Sequence, residues 1–95
     1  MRLSEQEIIN AICMHMAERK QLQPNEITVQ LLWDEDLGYS AEVTASGRSQ
    51  FIVEANMKEA IERYVHSEYE TRIYRNQISL EIEDEMIVII SDSDE

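Results

Sequence analysis

Two histidines, each about one helical turn from a carboxylate, are the residues of this chain best placed to do chemistry. His15 and Glu18 stand at i,i+3, and Glu62 and His66 at i,i+4, so each pair could reach one ion from a single helix face. Sites with such donors need about four ligands gathered from several elements. Glu62 and His66 read as lying opposite the apolar stripe of their helix, which keeps them from joining His15 within one protomer if that face is open to solvent. A surface histidine with an ion-pair neighbour is the plainer account, and no metal or other cofactor is expected. Cys13, the lone cysteine, is the candidate nucleophile. Activation needs a base within hydrogen-bond reach, and His15 is two positions along the same helix, pointing elsewhere. Cys13 reads instead as a small residue at the edge of a core stripe. With no Ser-His-Asp arrangement and no Gly-rich phosphate loop, catalysis is not expected. Asp34-Glu35-Asp36 lacks the ligand spacing of a calcium loop and reads as a polar turn. Trp33 and Tyr39 flank that turn and could line a small cleft, although aromatics so placed more often close the end of a core.

The elements that carry these residues are legible in the periodicity. Ser4 and Glu7 form a capping box ahead of Ile8, Ile9, Ile12 and Met16, predicting a helix over 4–20 that stops before Pro24. His15 and Cys13 fall at the margins of its stripe. Ile27, Val29, Leu31 and Trp33, then Tyr39, Ala41, Val43 and Ala45, alternate with polar residues and predict two strands. Ser46-Gly47 is a tight hairpin signal leading into a third strand over 49–54, with Phe51 and Val53 as its inward pair. Asn56 and Glu59 suggest a second capping box, opening a helix that buries Met57, Ile61, Tyr64 and Val65 and pairs Glu59 with Arg63. Residues 70–76 fit either a helical extension or a strand. Two further strands, from Ile78 and over Met86–Ile90, complete the order α-β-β-β-α-β-β. The expected fold is α+β, an antiparallel sheet with both helices on one face. One domain spans 1–91, and 92–95 form an acidic tail expected to be disordered.

Twenty acids against eight bases give a formal charge of −12 over 95 residues, with twelve of the acids in residues 49–95. The order α-β-β-β-α is that of a double-stranded-RNA-binding domain, which needs cations where its second helix begins. Here that position reads Glu54-Ala55-Asn56-Met57-Lys58-Glu59, so nucleic acid is not an expected partner, and anionic membranes are disfavoured on the same ground. A basic protein is the partner the charge admits, with Glu81, Glu83, Asp84, Glu85, Asp92, Asp94 and Glu95 as a surface able to mimic nucleic acid. The plainer reading is that these acids keep the protein soluble and guard a β-prone segment against edge pairing. The longest apolar run is Met86–Ile90, too short to span a bilayer. The absence of an apolar leader and the single cysteine point to the cytoplasm.

The segments MRLSEQEIINAICMHMAERK, LLWDEDLGYSAEV and GRSQFIVEANMKEAIERYV together resemble the YxcD-like family of small uncharacterised proteins of Bacillus-type bacteria, over nearly the whole chain. The resemblance implies a cytoplasmic bacterial protein with no assigned activity, and it carries no functional residues across. The expected role is a non-enzymatic interaction module that self-associates as a homodimer. Both faces of Met86–Ile90 are apolar, and two helices on one side of a sheet leave its other side open. Met86, Ile87, Val88, Ile89 and Ile90, with Leu32 and Ile52, are therefore the expected interface. A carboxylate-rich ligand or metal site, and an acidic inhibitor of a nucleic-acid-binding protein, are the alternatives.

Overall fold

A computed structural model describes residues 1–91; the expectation for the tail at 92–95 lies outside the described residues. The chain runs β1 (Arg2–Leu3), α1 (Glu5–Lys20), β2 (Ile27–Asp34), β3 (Gly38–Ala45), β4 (Arg48–Val53), α2 (Glu54–Tyr69), β5 (Ile78–Ile82) and β6 (Met86–Ile90). The α+β class is as expected, but the strands divide between two three-stranded antiparallel sheets, ordered β2-β3-β4 and β1-β6-β5. The single sheet of the sequence reading is thus corrected. Two residues are too few to show a period, so β1 escaped it, yet Arg2 and Leu3 pair with Ile89 and Val88 and make β6 a central strand.

The first helix starts as its cap predicts. Ser4 Oγ accepts from Glu7 N–H at 3.2 Å, and Glu7 Oε1 accepts from Ser4 N–H at 3.4 Å. The same carboxylate accepts the hydroxyls of Tyr69 and of Tyr64, the latter at 3.5 Å, tying the start of α1 to the end of α2. Held chiefly by that hydrogen bond to Glu7, the Tyr69 phenol is pushed up to about 12. Pro24 does not end α1. Gln21 turns left-handed (φ 59°) and Leu22 N–H closes on Ala17 O at 2.9 Å, a left-handed helix stop.

Turn chemistry sets the β2-β3-β4 meander. Asp34 Oδ1 accepts from the N–H of Asp36 and Leu37 at 2.7 and 3.1 Å, and Gly38 supplies φ +78°. Ser46 and Gly47 both take positive φ, 55° and 77°, the primed two-residue turn that matches strand twist. That turn pairs Ala45 with Arg48 and Ala41 with Ile52. Ile52 therefore faces the core, 6% exposed, while Phe51 and Val53 face solvent at 65% and 59%. The expected inward pair is reversed. Because a strand's side-chain period is two, a register fixed by the hairpin decides the whole face.

The second helix begins at Glu54, directly after β4, and not at Asn56. Asn56 stands in its first turn, where its Oδ1 accepts from Val53 N–H at 3.3 Å. Ala60 joins Met57, Ile61 and Val65 on the buried side, while Tyr64 is only half-buried. Residues 70–74 form neither helix nor strand; Ile73 inside this stretch is nevertheless buried. One core cluster joins both sheets and both helices. In it α1 packs on α2, on β2 and on β6, and α2 packs on β3 and β4.

Candidate functional site

A cleft of about 830 Å³ opens between α1 and α2, lined also by Arg72, Ile73 and Tyr74 from the segment after α2. His15, Glu18, Glu62 and His66, the four residues singled out for metal binding, all line it. At about 100° per residue, exposed His66 falls nearly opposite the centre of the Met57, Ala60, Ile61 and Val65 stripe, and Glu62 about 120° from it, as the sequence reading had them. His15, by contrast, is misplaced by that reading. It continues the Ile8, Ala11, Ile12 row at i+7 and is 5% exposed, inside the stripe and not at its margin. Ala11, a small residue easily missed as part of an apolar row, was the signal.

Lining one cleft does not make these residues a ligand set. Among the described residues, no three His, Cys, Asp or Glu side chains converge to hold an ion. The carboxylates are engaged with arginines instead: Glu18 with Arg63 at 3.4 Å across the two helices, and Glu62 with Arg75 at 3.6 Å. Arg63 thus pairs between helices and not with Glu59 along its own. Arg72, in the stretch that carried no periodic signal, lies 5.9 Å from the centre of the Tyr74 ring, a cation–π distance, and has no carboxylate partner among the described residues.

His15 Nδ1 is buried with no hydrogen-bond partner. Burial pushes its imidazole below the ordinary 6.5; Glu59 opposes this, Arg63 and Arg19 add to it, and Glu18 opposes it. Because the unfolded chain takes up this proton first, the stability tied to His15 is intact above pH 6.5 and falls as the pH drops below it. The melting temperature is expected to decline from pH 6.5 to about 5.5, above most carboxylate titrations, and more steeply than in His15→Leu. Equal slopes in the two proteins would refute the neutral buried histidine.

The remaining candidates are positioned by ordinary packing. Cys13 Sγ donates to Ile27 O at 3.7 Å, and burial pushes its thiol up, away from the reactive thiolate. Trp33 and Tyr39 are a cross-strand pair at the β2–β3 end, with Trp33 half exposed. The acidic surface is partly consumed within the chain: Glu83 pairs with Arg2 at 2.6 Å, Glu85 accepts from Glu5 N–H at 3.3 Å at the start of α1, and Glu81 accepts from Ser79 Oγ at 2.9 Å.

The expected interface is largely interior. Met86, Val88 and Ile90 belong to the shared core, and Ile87 on the opposite face is 3% exposed. Only Ile89, at 38%, remains open on β6. Ile52 is core as described, and Leu32 is half-buried on the outer face of β2-β3-β4. The outward residues that sequence reasoning missed are Phe51 and Val53, which share that face with Leu32.

Family comparison accounts for residues 1–85, which match the model described as "Protein of unknown function (DUF2653)". The chain belongs to this DUF2653 family. The matched span holds both helices, the cleft and β4, and ends before β6. No curated protein matches this DUF2653 chain, and no solved structure does. No helix among the described residues is long and apolar enough to cross a membrane.

Proposed function

We propose that this chain is a non-enzymatic interaction module that self-associates, with β4 of one copy pairing antiparallel to β4 of a second across a two-fold axis. The observation that carries the reading is the state of the four sheet edges. Edge strands are normally guarded by brevity, charge or cover. β1 has two residues, β5 carries Glu81, and β2 ends in Asp34. β4, Arg48-Ser49-Gln50-Phe51-Ile52-Val53, has no acid and no proline, and all of it but Ile52 is exposed. On a chain of formal charge −12, an acid-free edge is where two copies meet with least repulsion. Antiparallel pairing of identical strands is isologous by symmetry and would bring Phe51 and Val53 of both copies together on one face.

Edge-to-edge contacts fall at the small, weak end of interfaces. Mass in solution at about 100 µM and high salt, where like-charge repulsion is screened, is expected to show a dimer. Phe51→Glu combined with Val53→Glu is expected to return it to monomer with unchanged circular dichroism. A wild type that stays monomeric overturns the proposal. In this reading the finer likeness to YxcD-like proteins of Bacillus-type bacteria, and a cytoplasmic setting, rest on the shared segments and on the single cysteine.

A further inference from the structure

The cleft between α1 and α2 has features the self-association reading does not use. Its volume, about 830 Å³, is in the range of small-molecule sites. Its wall includes apolar side chains, among them Met14, Leu22 and Ile73. Into this lining the fold builds a histidine that is 5% exposed and whose Nδ1 has no partner, although buried polar groups are almost always hydrogen-bonded. The charges around it are mostly cancelled: Arg63 by Glu18, and Glu62 by Arg75. Arg72 alone among the cleft's arginines keeps an unpaired guanidinium, set beside the Tyr74 ring, among the described residues. A chain that carries twelve more acids than bases thus presents an unpaired cation and an aromatic face in a groove of mixed polar and apolar lining.

We infer that this cleft binds a small amphipathic anion, an apolar or aromatic body bearing one acidic group, with Arg72 pairing the acid and the body lying against Tyr74 and the apolar wall beside His15. Arg72 gives a charge-assisted contact near the surface. Tyr74 and the apolar wall take the hydrophobic part. A divalent cation is the wrong occupant, since the carboxylates are held by arginines and do not converge. Carboxylate and sulfonate share the required chemistry, so a sulfonate dye is a fair probe.

The experiment titrates the full chain with anilinonaphthalene sulfonate, followed by fluorescence and by the ring-nitrogen NMR signals of His15. One saturable site per chain is expected, with the His15 signals moving as it fills. Arg72→Gln, a change at an exposed position, should weaken binding by about tenfold, the weight of one hydrogen bond to a charged group. Phenylnaphthylamine, the same body without its sulfonate, should bind more weakly by a similar factor. The Phe51→Glu, Val53→Glu protein should bind the dye as wild type does, because no residue of β4 lines the cleft. The proposal is overturned by non-saturable binding, by equal affinity in Arg72→Gln, by His15 signals that do not respond, or by loss of binding in the sheet-face variant.

Discussion

Val88→Asp is expected to leave the chain unfolded at room temperature. Val88 is fully buried at the centre of β6, flanked by Leu3 of β1 and Leu80 of β5. A carboxylate there has no cation within the core to pair with, and an uncompensated buried charge costs about 3–5 kcal/mol or more. The lost valine packing adds to that cost. Total stability for a domain of this size is about 5–15 kcal/mol, and a small two-sheet domain at the lower end of that range loses most or all of it. Circular dichroism and the dispersion of a proton NMR spectrum would read the outcome. A folded spectrum at neutral pH would mean that β6 is a surface strand, as its sequence first suggests. The same chemistry at Phe51 has the opposite expected result, a folded monomer, so the two substitutions together separate core from interface.

Ile12→Ala carries the second large effect. Ile12 is fully buried midway along α1, the helix that packs on α2 and on strands of both sheets. Truncating it opens a cavity in the shared core, on the helix whose packing joins the layers. Large-to-small changes of this kind cost about 2–5 kcal/mol. For a domain of about 100 residues each kcal/mol is worth roughly 4–8 °C of melting temperature, so a drop of at least about 8 °C is expected by calorimetry. A shift of only a degree or two would mean that α1 lies on the outside of the core and does not join the two sheets.

The cleft and β4 have different relations to the sequence. At β4, every residue of the exposed edge was visible, but its orientation was not. Phe51-Ile52-Val53 is apolar on both faces, so composition cannot choose between them. The choice was made by the Ser46-Gly47 turn, which pairs Ala41 with Ile52. At the cleft, the histidines and carboxylates could be named, but the arginines that occupy the carboxylates come from distant points in the chain. Glu18 meets Arg63, and no local spacing encodes that meeting.

What the sequence determined by itself was local. The capping box at Ser4, the hairpin at Ser46-Gly47, the Asp34 turn and the alternation of β2 and β3 are each set by a few neighbouring residues, and each appears in the structure where the sequence puts it. The charge balance likewise follows from composition alone. Tertiary structure decided the rest. It split the strands into two sheets, because Arg2 and Leu3 pair with a strand more than eighty residues away. It covered β6 on both faces except at Ile89, and so left the larger open apolar surface at β4. It turned His15 inward and left its Nδ1 unpartnered, because α1 has to bury one continuous face against α2 and strands of both sheets. These outcomes depend on which distant surfaces meet, and a period of two or of 3.6 residues specifies a face without specifying its partner.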